Sequence, residues 1–353
     1  MEASALTFFQ TLLATPSPSG YESRIQEVIR SYAASFADRL ATDLHGNMMA
    51  VRNPDARRRI MLAGHCDQIG LIVSYIDSDG FLYLQSIGGW DPQVLVGQRL
   101  TIWTDQAPVF GIIGRKPIHL LTEEERKQVP KLKDLWLDVG AANREEAEKV
   151  VQIGDPVTLE LEYRELRNGR AASPAMDDKC GTWVVIEALR RIDPAKLRWA
   201  VYAVSTVQEE VGLRGAKTSA FGIDPEVGVA VDVTHATDCP TIEKKEEGDV
   251  ALGKGPVIHR GPNMNPKVVR RLAEVAGAHQ ISVQMVATGK ATGTDANAIQ
   301  VNRAGVATGL VSIPNRYMHS PVEMISLDDI DRAADLLARF CESLGEEDFT
   351  PSP

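Results

Sequence analysis

The sequence predicts an α/β fold: a mainly parallel sheet with helices on both faces, interrupted by an inserted all-β module of barrel type. Three observations predict it. Apolar runs such as Ile60 to Gly64, Trp199 to Val204 and Val227 to Val231 read as strands buried on both faces. Segments with apolar residues at helical spacing lie between such runs, and strands alternating with helices imply parallel pairing. From about Ile69 that alternation stops, and short extended pieces joined by glycine turns replace it until Glu162. The boundaries follow from these changes: residues 1–69 and 164–353 form one α/β unit, and residues 70–163 form the insertion.

The elements follow in order. Residues 2–14 read as an amphipathic helix with Leu6, Phe9 and Leu13 on one face. Pro16-Ser17-Pro18-Ser19-Gly20 breaks it, and a second helix runs from about Glu22 to Phe36. His45-Gly46-Asn47 is a turn between extended pieces. The strand Arg58 to Gly64 ends in His65-Cys66-Asp67. In the insertion, Leu71 to Ile76, Asp79-Gly80 and Phe81 to Leu84 form a hairpin signature. Further strands are expected at Arg99 to Trp103, Val109 to Gly114 and Pro156 to Glu162. The charged stretch Lys116 to Lys133 reads as a mobile surface loop. After Ser173 the α/β texture returns. A helix opens near Lys179, and a strand leads into Glu209-Glu210. A helix or loop covers Arg214 to Phe221, and the next strand ends in Asp232. Helices near Lys267 to Gly277 and Ile330 to Leu344 flank a strand at Val306 to Ile313, which leads to His319.

Chemistry-bearing residues collect where these strands stop. His65 with Asp67, Asp177 with Asp178, Glu209 with Glu210, Asp232, and His319 each close a strand or help to open a helix. Adjacent carboxylates in a cleft repel, and a cation relieves the repulsion. Histidine with carboxylate suits zinc, cobalt or manganese better than magnesium or calcium. His65 and Asp67 are two residues apart, so in extended chain they share a face and Asp67 is placed to hold the imidazole. In Glu209-Glu210, one carboxylate can ligate while its neighbour serves as a base. Gly293, Thr294 and Asp295, with Arg260, are candidate lining of a substrate pocket, in loops whose glycines permit close backbone approach.

Six motifs carry a resemblance. They are Gly64-His65-Cys66-Asp67-Gln68-Ile69-Gly70, Met176-Asp177-Asp178-Lys179, Glu209-Glu210-Val211-Gly212, Val231-Asp232-Val233-Thr234, Gly293-Thr294-Asp295-Ala296, and Tyr317-Met318-His319-Ser320-Pro321-Val322-Glu323. In order and across nearly the whole chain, they resemble the cobalt- or zinc-dependent aminopeptidases that build tetrahedral particles, among them glutamyl and deblocking aminopeptidases. The resemblance implies two divalent ions per subunit, zinc or cobalt with manganese as a further option. It implies that Asp177 bridges them, that His65 and Asp232 complete one site, and that Glu210 and His319 complete the other. It assigns Glu209 as general base and Asp67 as the residue orienting His65, and it implies a cis peptide between Asp177 and Asp178. It also implies peptides with a free amino terminus as substrates, and a homododecamer built from dimers through the β insertion. Three departures from the family pattern stand out: Gln68 stands where an acid is common, Cys66 where a larger apolar residue is common, and Cys180 follows the Asp-Asp-Lys stretch close to the site.

Composition limits the alternatives. The net charge, 38 − 48 = −10, disfavours a nucleic-acid partner. No apolar run approaches the roughly 18 residues of a membrane span. Met1-Glu2-Ala3-Ser4 carries no basic leader region. The four scattered cysteines fit a reducing compartment, so the cytoplasm is the expected location. Two other readings share the residues: a dinuclear carboxypeptidase or amino-acid deacylase of the same fold, and a shell or binding protein without activity.

Overall fold

The computed structural model describes residues 1–351. Three strands, β1 (Arg39–Thr42), β2 (Met48–Arg52) and β3 (Arg59–His65), precede the insertion. Six more, β4 (Gly70–Ile76), β5 (Leu82–Ile87), β6 (Arg99–Ile102), β7 (Val109–Gly114), β8 (Trp136–Asp138) and β9 (Pro156–Leu159), close into a barrel in the order β4-β5-β8-β7-β6-β9. Eight follow: β10 (Arg164–Leu166), β11 (Arg170–Ala172), β12 (Ala200–Thr206), β13 (Val227–His235), β14 (Val257–Arg260), β15 (Gln284–Ala287), β16 (Ala307–Asn315) and β17 (Met324–Ser326).

The main sheet has the order β1-β2-β12-β3-β13-β16-β14-β15. Its centre, β12-β3-β13-β16, is parallel throughout, while β2 joins β12 and β14 joins β16 in antiparallel fashion. The central strands are apolar on both faces because helices cover both. Glycines in the strands show which helix lies where. A Cβ on Gly64 would come within 2.5 Å of the Gly181 backbone, so the helix Met176–Arg191 presses against that face of β3. A Cβ on Gly228 would meet Ile299 at 2.6 Å, and Gly228 pairs with Met61, which alternates to the opposite face from Gly64. The helix Asp295–Gln300 therefore covers the other side. The helices Pro266–Ala278 and Leu327–Ser343 join Met176–Arg191 in its layer.

The barrel holds a separate apolar core that includes Leu71, Val73, Leu82, Leu100 and Leu137. Hydrophobic side chains from alternate positions fill a small closed barrel in this way. Three expectations are corrected by the structure. Asp232 does not end its strand, because β13 pairs with β16 as far as His235. Arg260 lies in β14 and not in a loop. Lys116 to Lys133 is exposed but carries a formed helical turn, Glu123–Arg126. A capping box closes that turn: Glu125 N–H donates to Thr122 Oγ1 at 3.2 Å, and Thr122 N–H donates to Glu125 Oε2 at 2.7 Å. Among the described residues, no helix is long and apolar enough to cross a membrane.

Candidate functional site

Parallel strands share an edge at their carboxyl ends, and ligands of open α/β sheets bind there. His65 is the last residue of β3 and pairs with Thr206, the last residue of β12. Glu209 and Glu210 follow three and four residues after Thr206, and Asp232 lies on β13, the other neighbour of β3. The chain leaving β16 delivers His319 to the same edge. Asp177 and Asp178, whose backbone is not helical, arrive at a kink just ahead of the regular part of the helix Met176–Arg191, joined by a cis peptide. Gly181 N–H donates to Asp178 Oδ1 at 3.0 Å, as a side chain capping a helix does.

Asp177 lies between two imidazoles. Its Oδ1 is 3.2 Å from His65 Nε2, and its Oδ2 is 3.3 Å from His319 Nε2. Glu210 Oε1 stands 3.5 Å from His319 Nε2, and Glu209 Oε2 stands 3.8 Å from His65 Nε2. Ligand-capable atoms of His65, Asp177 and Glu210 fall within 4.8 Å of one another, as do those of His65, Asp178 and Asp232. The second group contains Asp178, which sequence reading left without a role.

The far nitrogens of both rings are fixed. His65 Nδ1 lies 3.0 Å from the Asp67 carbonyl and 3.5 Å from Asp67 Oδ1, so the backbone oxygen is the nearer acceptor. His319 Nδ1 lies 2.8 Å from the Gly89 carbonyl, on the segment after β5 of the barrel. An acceptor at Nδ1 keeps that nitrogen protonated and leaves Nε2 free to ligate.

Three buried carboxylates grip the site's backbone. Asp67 accepts from Glu209 N–H at 3.0 Å, from Glu210 N–H at 3.2 Å and from the Ser19 hydroxyl at 2.7 Å. Glu22 accepts from Gln208 N–H at 3.1 Å. Glu323 accepts from Asp177 N–H at 2.9 Å and from His319 N–H at 2.7 Å. Ser19 and Glu22 lie in and beside a stretch that reads in sequence only as a helix breaker. Glu323 stands inside a quoted motif, but nothing in its spacing marks it as an acceptor for distant amides.

The acids are crowded and dry. Burial pushes Asp232, Asp178, Glu209 and Glu210 above the usual carboxylate range, with neighbouring acids adding to the rise. Burial also opposes ionisation of Asp177, but hydrogen bonds from His319 and His65 prevail and lower it. Hydrogen bonds to Asp177 and Glu210 raise His319 to about 11. Asp295 Oδ1 is buried and accepts no hydrogen bond, and the only polar contact of the buried Glu210 Oε1 is the long one to His319. Unpartnered carboxylate oxygens and mutually repelling acids are costly without a cation, so the donor set fits divalent metal. Cys66 and Cys180 are fully buried, and burial pushes both thiols up, so they stay protonated.

The candidate pocket residues divide. Asp295 opens the helix Asp295–Gln300 and accepts from Thr206 Oγ1 at 2.6 Å, which places it beside the last residue of β12. Thr294 is buried next to it, and Gly293 is exposed with φ of +74°. Arg260 is exposed and lines a cavity of about 750 Å³ together with Met264, Arg270 and Gln300. Neither that cavity nor a second of about 780 Å³ beside Glu22 and Gln208 is lined by any of the ligand candidates. Donor chemistry identifies the site here, and cavity size does not.

Comparison with known proteins agrees with this geometry. The sequence profile of the M42 glutamyl aminopeptidase family matches residues 46–336. The lysyl aminopeptidase of Pyrococcus furiosus is 39% identical over 346 residues, covering 96% of this chain and 97% of the relative. The TET aminopeptidase of a marine sediment archaeon, Thaumarchaeota archaeon SCGC AB-539-E09, superposes with a TM-score of 0.92 at 36% identity, covering 97% of each chain. The Pyrococcus horikoshii TET1 peptidase, which can assemble into a tetrahedron or a large octahedral shell, superposes with a TM-score of 0.86 at 31% identity, covering 96% of this chain and all of the other. A buried acid and histidine cluster at the carboxyl edge of a parallel sheet, an inserted barrel and a profile spanning most of the sequence lead to one conclusion: this chain belongs to the M42 glutamyl aminopeptidase family and is a metal-binding peptidase.

Proposed function

We propose that this aminopeptidase removes amino-terminal residues from peptides with two divalent ions, zinc or cobalt with manganese as a further option. Asp177 would bridge the pair. His65 and Asp232 would complete one site, and Glu210 and His319 the other. The observation that carries this reading is the placement of Asp177, with one histidine Nε2 facing each of its oxygens at 3.2 and 3.3 Å. The chemistry such a pair supplies is a water of lowered pKa and a polarised scissile carbonyl.

The chain's own groups do the rest. Glu209 takes the proton of the attacking water and returns it to the leaving amine. Asp67 holds the amides of Glu209 and Glu210 in place, so the base and its neighbour keep a fixed spacing. The substrate's ammonium group would meet the carboxylates at the edge, among them Asp295, whose Oδ1 has no partner. Recognition of a free amino terminus makes the enzyme an exopeptidase. Arg260, Gly293 and Thr294 remain proposed lining of the substrate path.

Glu209→Gln tests the base. It should leave metal content unchanged and lower kcat by roughly 10²–10⁴-fold. Near-normal turnover in that variant would show that another group moves the proton. Reconstitution of metal-free protein with zinc, cobalt or manganese, followed by a panel of aminoacyl amides, separates the metals and the side-chain preferences.

The same reading extends to assembly. Residues 70–163 would pair subunits into dimers, with residues 1–69 and 164–353 carrying the chemistry, and twelve subunits would enclose the sites. The exposed apolar side chains of β7 support this, because a closed barrel has no need of them on its outer face. Sedimentation of metal-replete protein as monomer or dimer alone would remove the shell. A cytoplasmic location fits the four free cysteines, and recovery from a cell's soluble reducing fraction checks it.

A further inference from the structure

Glu323 is 2% exposed and stands directly before β17. Its own carbonyl accepts from Ser173 N–H at 3.0 Å, which ties it to the strand leading to Asp177. Its two carboxylate oxygens are divided between two amides far apart in sequence. Oε2 accepts from Asp177 N–H at 2.9 Å, and Oε1 accepts from His319 N–H at 2.7 Å. One side chain thus spans the residue proposed to bridge the metals and one of the two proposed histidine ligands.

His319 needs such a hold. Its φ is +58°, in the left-handed region that a residue with a Cβ adopts when its surroundings compel it. Tyr317, two residues earlier, is also left-handed, at +63°. The loop from Asn315 to Glu323 is therefore folded against its local preference, and the Glu323 carboxylate closes it back on itself. The Gly89 carbonyl fixes the ring of His319 but not its main chain. His65 and Asp232 receive nothing from Glu323: His65 N–H faces Asp178 Oδ2 at 3.3 Å, and Asp232 is bonded by Val233 N–H at 2.7 Å.

We propose that Glu323 is a positioning residue that sets the spacing between Asp177 and His319, and so tunes the affinity of one metal site more than that of the other. The proposal rests on the two-metal reading above. Replacing the carboxylate with an amide leaves one acceptor for two amide donors, and a buried N–H without a partner shifts to find one. Asp177 is common to both sites but His319 belongs to one, so the site completed by Glu210 and His319 loses support at two ligands and should weaken more than the site completed by His65 and Asp232.

The test is a zinc titration of full-length, metal-free protein against a competing chelator. Wild type should bind two equivalents. Glu323→Gln should bind the second about 10–100-fold more weakly, the range found when a partner of a metal ligand is removed, with a clearly smaller loss for the first. Its turnover should recover as free zinc is raised. Two equivalents of unchanged affinity in the variant would overturn the role of Glu323 while leaving the metal assignment intact. Fewer than two equivalents in wild type would instead overturn the metal assignment. Equal weakening of both, with a lower melting temperature of the metal-free protein, would reduce Glu323 to a structural residue. If Glu323→Gln does not fold, Glu323→Asp keeps the charge while withdrawing the oxygens, and the same titration applies. Failure of both to fold would also count against the proposal.

Discussion

At the scale of single residues, side-chain identity was legible and side-chain service to the backbone was not. His65, Asp177, Glu210, Asp232 and His319 stand out because acids and histidines closing apolar strands are chemically conspicuous. Ser19 donates its hydroxyl to Asp67, and Glu22 and Glu323 accept amide protons, across separations of 48, 186 and as many as 146 residues, and no local pattern records such a bond. Gly89 contributes only a carbonyl, which every residue has. Glu22 offers a direct measurement. Burial, with Asp67 nearby, pushes it up to about 7 from an ordinary 4.5, although three backbone amides pull the other way. A raised acid contributes its full stability below its ordinary pKa and loses it as pH climbs through the raised value. Glu22→Gln keeps an acceptor oxygen and abolishes the ionisation. Denaturant midpoints should therefore favour the variant by about 2 kcal/mol more at pH 8 than at pH 5. An equal effect at both pH values would mean that Glu22 ionises freely in the fold.

At the scale of elements, apolar runs located the central strands because burial on both faces demands continuous hydrophobicity. The short flanking strands escaped notice. Val257–Arg260 ends in two polar residues, and Gln284–Ala287 has only four residues and little burial, so neither carries a clear period. Asp232 reads as a strand end because charge usually stops a buried run, yet β13 carries it inside the ladder, where its side chain joins the cluster. The contact between β3 and the helix Met176–Arg191 has a strict consequence. Gly64 leaves room for the Gly181 backbone, and a methyl group there would sit 2.5 Å from a carbonyl carbon. Gly64→Ala should cost at least about 2 kcal/mol of stability in the metal-free protein, because neither backbone can yield cheaply. A denaturant midpoint matching wild type would show that helix and strand separate more easily than their packing implies.

At the scale of the whole molecule, the insertion was visible as a change of texture, and its closure into a barrel follows from short strands that leave no edge. What lies outside the barrel was harder to read, since an exposed hydrophobic residue looks like a core residue in sequence. Phe110 is 75% exposed and Ile112 55% exposed on β7, with Ile118 and Leu120 also open after it. Joint replacement of Phe110 and Ile112 by aspartate should leave the barrel core untouched and lower the sedimenting mass. An unchanged mass would place the subunit contacts elsewhere. The bond from His319 to the Gly89 carbonyl has a consequence for modularity. The barrel is not a detachable cassette on a self-sufficient enzyme, because one of its main-chain oxygens decides which nitrogen of His319 faces Asp177. Exchanging the insertion between relatives preserves the site only where the substitute brings a carbonyl to that same point. The insertion is thereby bound to the chemistry by a constraint on shape, and the residue letter at position 89 does not express it.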